Sequence, residues 1–500
     1  MDAPPSPLVI FMSEDDSKET SNGVDEEEWH LYASADYGVA ESLENSEPSK
    51  EEEIDVEWFD GDDFYQQGDS IDWDAPPCPA PLGIAHVIKI GACDHCLHRI
   101  GGRRTQSSGF EGGASLRKEA SSRDPGLSDF DIPDLCPLCE NLLDDVGNIV
   151  ERIIETLEDT QFRSMQLGIH IPKDLLQSED AIRTKHGARG SKPLKASFAT
   201  AIQAGMLRKI PEIAFVKEYP DVMVTVDALT LRVDTDVRPV FIYGRYEKLA
   251  RGIPQTRWPC RSCRGRGDGC ESCEGTGLQY RESVQDIIGD PVKADMGAFD
   301  TSFHGMGRED IDVRCLGSGR PFVLEIKNPK IRETDLGVLE SKINSNNPEK
   351  VKVNSLKWCH KKDVSRVKET RSEKSYTIRF KIDDAPPEDQ IIESINSLSG
   401  VVLEQETPKR VSHRRAAKTR KRKIVSISDV VVDDQEIQFS LRCEAGTYVK
   451  ELVHSDEGRT VPSVKSVIDR ECEVLWLDVD EIYLGTKPAC NQRRSDVASL

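Results

Sequence analysis

The sequence predicts an α+β protein built from several units. Strand-like runs of alternating apolar and polar residues are mixed with helical runs along most of the chain, eight of the fourteen cysteines fall into four C-x-x-C pairs, and the composition changes sharply after residue 75. Five hundred residues at 37% hydrophobic and 31% charged suffice for two to four globular units with sizeable cores. No apolar run reaches the roughly eighteen residues a membrane helix needs. The N-terminus has the pattern of neither a signal peptide nor a transit peptide, so a nuclear and/or cytoplasmic protein that is not secreted is expected.

The formal net charge of -23 is concentrated in one place. Residues 1–75 hold 24 Asp and Glu against Lys18 and Lys50, which leaves 65 acidic and 64 basic residues for the remaining 425. This segment is therefore read as an acidic disordered tail, with a short docking motif for a protein partner of unknown kind as its one candidate role.

Cys93-Asp-His-Cys96 and Cys136-Pro-Leu-Cys139 are separated by a Gly/Ser/Arg-rich stretch read as a long loop. Two thiolates three residues apart can face one ion, so the four cysteines are expected to hold a structural zinc. Apolar residues from Leu142 to Leu157 recur at three and four, the period of an amphipathic helix. "FRSMQLGIHIP" and "DVMVTVDALTLRV" alternate like strands, and "SFATAIQAGMLRKI" reads as a helix, giving a compact α+β unit over about 141–250.

"CRSCRGRG" and "CESCEGTG" then form a local repeat, C-x-x-C-x-G-x-G. Its glycines suit tight turns, and Cys260, Cys263, Cys270 and Cys273 are expected to hold a second zinc. The final 220 residues alternate strands ("FVLEIK", "SYTIRFKI", "GVVLEQ", "EIQFSLRC", "EVLWLDVDEIYL") with helices ("PEDQIIESINSL", "VPSVKSVIDREC"). Within them Lys409–Lys423 carries nine Lys and Arg and no acid, the composition of a phosphate-gripping loop or a nuclear address.

The stretch "GMGREDIDVRCLGSGRPFVLEIKNPK" concentrates the chemistry. Asp310, Asp312, Glu325 and Lys327 can be written D…E-x-K, the pattern of Mg-dependent nucleases, in which carboxylates hold the metal and lysine polarises water. The competing reading uses two regions. "GRED" (Gly307–Asp310) is similar to the G-R-T-D signature of pseudouridine synthases, and "AGTYVKEL" (Ala445–Leu452) to their G-T-Y-[IV]-[RK]-x-L segment. With "PVFIYGRYEKLARGIPQTRWPC", "GTYVKELVHSDEGRTVPSV" and "TPKRVSHRR", the chain resembles, over roughly 85–495, the tenth, or Pus-ten, family of archaeal and eukaryotic tRNA pseudouridine synthases. A non-catalytic RNA-binding adaptor is the third class considered.

The resemblance implies a zinc-binding and THUMP-like α/β domain (76–250) that docks tRNA and a zinc-knuckle linker (251–295). It further implies a catalytic domain (296–500) on a mixed, mainly antiparallel sheet with flanking helices. It makes Asp310 the catalytic nucleophile and Arg308 its motif neighbour. Tyr448 becomes the ring that stacks on uracil, Lys450 the ion-pair partner of Asp310, and Tyr376 a second substrate-binding tyrosine. Lys409, Arg410, Arg414 and Arg415 would grip RNA. A basic cluster of Arg183, Lys185, Arg189, Lys192 and Lys195 would meet the tRNA acceptor end. The implied activity is isomerisation of T-loop uridine fifty-five, with fifty-four as a further target and no catalytic cofactor. The family's pattern also tolerates Glu309 where the wider signature has threonine, at the cost of a second negative charge beside Asp310.

Overall fold

In the computed structural model, residues 57–59, 81–102, 109–188 and 190–484 are described. Within the tail, Glu57–Phe59 form a strand, β1, and the rest of 1–75 lies outside the described residues.

The N-terminal unit begins with helices α1 (Pro81–Lys89), α2 (Asp94–Gly101) and α3 (Gly109–Arg123). The last of these corrects the expectation of a long loop between the two cysteine pairs. Ala114 to Ala120 are mostly good helix formers, and Leu116 is buried, which together outweigh the flanking glycines. The amphipathic run becomes α4 (Val146–Thr156), burying Ile149, Val150 and Ile153. β2 (Ser164–His170), α5 (Lys173–His186), α6 (Leu194–Lys209) and β3 (Ala214–Phe215) follow. "DVMVTVDALTLRV" is not one strand but a hairpin, β4 (Val222–Asp227) and β5 (Arg232–Val237), because the Asp227 carboxylate accepts hydrogen bonds from Thr230 N and Oγ1 and closes a turn. The sheet order is β1-β2-β4-β5, with β3 also on β2. One apolar core joins these helices to the first cysteine group.

The second unit starts two residues after β5 with β6 (Val240–Lys248), then α7 (Val284–Met296), β7 (Asp300–Gly305), β8 (Arg314–Lys327), α8 (Leu336–Asn346), β9 (Val351–Cys359) and α9 (Lys361–Glu369). It continues with β10 (Glu373–Ile382), α10 (Glu388–Asn396), β11 (Val402–Gln405), β12 (Arg420–Asp433), β13 (Glu436–Cys443), α11 (Val449–His454), β14 (Thr460–Val461), α12 (Val464–Ile468) and β15 (Cys472–Tyr483). These strands make one sheet in the order β14-β11-β12-β13-β10-β15-β8-β6-β9, with β7 on β8. Every pairing is antiparallel except β15 with β8, which is parallel and two residue pairs wide, Arg314 with Asp478 and Cys315 with Val479.

Alternation along β6 divides its side chains between two cores. Phe241 and Tyr243 enter one, with β10, β13 and α10. Val240, Ile242 and Tyr246 enter the other, under α7 and α8. The basic run is a single 3-10 turn over Lys409–Arg414, an irregular stretch, and then the first residues of β12, so its last four residues are strand and not loop.

Candidate active site

The GRED motif occupies the connection between β7 and β8. Gly307 has φ +75°, and a Cβ there would come 3.3 Å from an Arg320 nitrogen, so a side chain at this turn would be strained. Behind it stands Lys374, whose ammonium burial pushes down to about 8.

Buried polar groups hold this loop from below. Lys248, fully buried at the end of β6, donates to the carbonyls of Ile253 (2.7 Å), Ile311 (3.0 Å) and Asp310 (3.2 Å). Burial lowers its pKa, yet three carbonyls share its proton donors. Glu309 does not add its charge to the cavity as the sequence suggested. It points inward, accepts from Tyr246 Oη at 2.8 Å, and approaches Arg320 Nε at 2.8 Å, an ion pair too bent to be a hydrogen bond. Arg320 Nη1 donates to Met306 O at 2.8 Å, and Gln255 Nε2 donates to Tyr246 Oη (2.8 Å) and Gly307 O (3.1 Å). Lys248, Arg320, Tyr246 and Gln255 had no signal in the sequence beyond being polar residues in apolar strand contexts.

With Glu309 turned down, Asp310 is presented upward to a cavity of about 230 Å3 lined by Pro254, Gln255, Trp258, Arg308, Glu309, Asp310, Ile311, Asp312, Arg410 and Lys450. Asp310 Oδ2 lies 3.0 Å from Arg410 Nη1 and 3.4 Å from Lys450 Nζ. Lys450 sits closer to Asp312, at 2.8 Å. Burial opposes the charge on Asp312, and the Lys450 ammonium outweighs it and holds that carboxyl below the usual range. Arg410 was expected on RNA phosphates; the 3-10 turn instead directs it to Asp310 and to buried Glu451, at 2.6 Å. Its cation is the nearest to Asp310 among the described residues. Arg308 lies over the Trp258 ring, 4.9 Å from its centroid.

The other expected residues are elsewhere. Tyr448 is the N-cap of α11, its backbone clamped by Gln405, and Tyr376 is half-buried on β10 against the core. Neither lines the cavity. Lys409 pairs with Glu457, Arg415 is exposed, and the side chain of Arg414 lies outside the described residues. Glu325 lies toward the far end of β8: Cys315 pairs with Lys248 and Glu325 with Phe241, seven residues apart on β6, or roughly 23 Å of strand, and Glu325 pairs with His304 at 3.0 Å. Lys327 is beside Asp300. The D…E-x-K residues are therefore not brought together.

A family model described as Pus10, C-terminal, matches residues 241–483. The tRNA pseudouridine synthase Pus10 of Methanocaldococcus jannaschii is 38% identical over 360 residues, 71% of this chain and 77% of that protein. The chain belongs to the Pus10 family of tRNA pseudouridine synthases. The Pus10 proteins of Methanothermobacter marburgensis (36% identity, 80% of this chain and 97% of that one) and Halorubrum lacusprofundi (35%, 77% and 92%) match over a wider span.

Two further features of the chain are cysteine groups. Cys93, Cys96, Cys136 and Cys139 form one, and Cys260, Cys263, Cys270 and Cys273 the other, each with its sulfurs within 4.8 Å of one another. A tetrahedral ion with bonds of about 2.3 Å sets its sulfurs about 3.8 Å apart. The Cys93–Cys139, Cys263–Cys273 and Cys260–Cys270 separations are 3.6, 3.7 and 4.0 Å. In the second group Gly267 and Gly277 have φ +79° and +72°, and a Cβ on either would come 2.6 Å from the carbonyl of Gly275 or Gly265, respectively. The repeat's glycines let its two halves close on each other. No helix among the described residues is long and apolar enough to cross a membrane.

Proposed function

We propose that this protein isomerises uridine to pseudouridine in the T-loop of tRNA, at uridine fifty-five with fifty-four as the second target, with Asp310 as the catalytic carboxylate and no catalytic metal. The observation that carries the reading is Asp310 itself. It stands on a loop held by buried polar groups and faces a small cavity with Arg410 and Lys450 against its oxygens. Those cations face the carboxylate that the chemistry uses. The reaction breaks N1–C1′, turns the uracil, forms C5–C1′ and releases the C5 hydrogen as a proton while N1 takes one up, so atoms balance with no net redox change. The base must first leave its stack, and at about 230 Å3 the cavity is below the roughly 300–1,000 Å3 of drug-sized sites, in keeping with a single base.

Both cysteine groups are read as structural zinc sites, and their sulfur spacing supports this. The N-terminal unit is read as the zinc-bearing, THUMP-like docking domain. Lys192 belongs to the segment leading into α6 and Lys195 to its first turn, after Arg183 and Lys185 at the end of α5, where they would meet tRNA phosphates; Arg189 lies outside the described residues. Arg415 and the basic start of β12 would grip the backbone near the cavity.

The test is tritium release from a tRNA transcript labelled at C5 of uridine. Wild-type protein should release tritium with the strand intact, and Asp310→Ala should release none while still binding tRNA. Strand cleavage, or release by Asp310→Ala at the wild-type rate, would overturn the reading.

A further inference from the structure

Two units of one chain move relative to each other unless something holds them. Here the covalent link is Arg238 and Pro239, between β5 and β6, and a loop of the second unit is built against it. We infer that Arg332, in that loop, is the positioning residue that fixes the tRNA-docking unit relative to Asp310 and so selects which uridine of a docked tRNA reaches the carboxylate; this deepens the proposed uridine isomerisation and rests on it.

The loop joins β8 to α8 over residues 328–335 and is anchored first on its own unit. Lys330 N and Ile331 N donate to the carbonyl of Met296, the buried last residue of α7, at 3.0 and 2.9 Å. Thr334 Oγ1 donates to Asp295 at 2.8 Å. From there the loop reaches the end of the N-terminal sheet at which β2 and β4 start and β5 stops. Gln161 meets it twice, its N donating to Lys330 O at 2.7 Å and its Oε1 accepting from Arg332 N at 3.2 Å.

The buried side chain of Arg332 closes the joint. Its Nε lies 3.1 Å from Asp221 Oδ1, and its Nη1 donates to the linker carbonyl of Arg238 at 2.7 Å. The other oxygen of Asp221 accepts from Arg163 N at 2.9 Å and Ser164 N at 3.2 Å, and its backbone carbonyl accepts from Arg238 N at 3.0 Å. One guanidinium therefore ties the starts of β2 and β4 and the linker to the second unit. A charge-assisted contact of this kind outweighs the exposed Arg163–Glu333 and Lys330–Asp159 pairs beside it, at 3.3 and 3.5 Å. Strand β8 leads from this loop back to the segment that carries Asp310, so the joint and the carboxylate stand at opposite ends of one strand.

The joint matters only to a substrate that touches both units. Two linked sites reinforce each other when their spacing matches the ligand, and a small misplacement at the reacting atoms slows the reaction steeply. A T-arm hairpin carries the target uridine without the acceptor end, so its turnover does not depend on where the docking unit sits.

The experiment compares Arg332→Met, which keeps an apolar stem and removes both side-chain contacts, with Arg332→Lys, which can keep one of them. Single-turnover tritium release is measured on whole tRNA and on the T-arm hairpin, with small-angle scattering and melting temperature of each zinc-loaded chain. Wild type should act faster on whole tRNA than on the hairpin. Arg332→Met should lose roughly 10- to 100-fold on whole tRNA, keep the wild-type rate on the hairpin, and scatter with a larger radius of gyration; Arg332→Lys should fall between.

An equal loss on both substrates, an unchanged rate on whole tRNA, or unchanged scattering in Arg332→Met would overturn the inference. Equal rates of wild type on the two substrates would also overturn it and leave the isomerisation standing. Release by wild type from whole tRNA alone makes the preference absolute, and the inference then stands or falls on the scattering and the loss with tRNA. No release by wild type from either substrate would overturn the isomerisation and the inference together.

Discussion

Glu309, next to Asp310, ties the GRED turn to buried Arg320 and Tyr246, and replacing it with glutamine isolates the effect of its charge. The Glu309 side chain is fully buried, as is Arg320 but for 2% of its side-chain surface. Burial opposes the charge on Arg320, and the Glu309 carboxylate overcomes it. Glu309→Gln keeps the size and an oxygen for Tyr246, but leaves a buried guanidinium uncompensated. Breaking one half of a buried pair typically costs about 3–5 kcal/mol. A domain of 150–250 residues loses about 2–4 °C of melting temperature per kcal/mol, so the expected fall is roughly 6–20 °C. Calorimetry on the zinc-loaded full chain measures it, and tritium release should fall with it as the GRED turn loosens. The double variant Glu309→Gln/Arg320→Met removes the stranded charge and should recover part of the lost stability. An unchanged melting temperature in the single variant, or a double variant no better than the sum of the two singles, would refute the reasoning.

Glu325→Gln tests the far end of β8. His304 holds this carboxyl below its usual range against the opposing effect of burial. A carboxyl with a depressed folded pKa contributes stability that is present above its unfolded pKa of about 4.3 and lost as pH falls through the lower folded value. Glu325→Gln should therefore be less stable at neutral pH, and its acid unfolding should be less steep below about pH 4. Its turnover should be unchanged; a large loss would return Glu325 to the chemistry. The two cysteine groups should behave independently: Cys136→Ser should lose one zinc by metal analysis and weaken tRNA binding, whereas Cys273→Ser should lose the other and slow turnover with tRNA binding retained. Full zinc content in either variant would show that its group is not the site.

The regular elements could be read from the sequence because their periodicity is set by which face they bury. Met165, Leu167 and Ile169 are fully buried on β2, and Ile149, Val150 and Ile153 line the inner side of α4, as their spacing suggested. The cysteine groups were legible because metal ligation demands thiols at fixed short spacing. Helix α3 was not, because glycine and serine dominate its ends and only Leu116 and its neighbours reveal the packing face. Asp310 could be found through its motif, but the support beneath it could not. Nothing in "YEK" shows that Lys248 will feed three carbonyls, and nothing in "GRP" that Arg320 will draw Glu309 away from the cavity. Arg410 looked like its neighbours in a basic run. Only the 3-10 turn singles it out for Asp310.

The cavity lies where two halves of one sheet meet. Asp310 and Trp258 belong to the half built from β6 to β9, whereas Arg410 and Lys450 come from segments next to β11 and β13 in the other half. Within the sheet the halves are joined through β15 and β8 by two residue pairs. Asp478, almost fully buried, reinforces that junction by pairing with Arg314 at 2.6 Å and Arg251 at 2.7 Å. Arg251 also donates to the carbonyls of Asp312 and Leu477, so a single side chain ties the loop carrying Asp310 to the strand leading into the opposite half. Beneath the sheet, Phe241, Tyr243, Cys315 and Val323 of the first half pack in one apolar cluster with Ile378, Phe380 and Leu441 of the second, so the carboxylate and its cations are held at their distance by this shared core together with the polar contacts of Asp478 and Arg251.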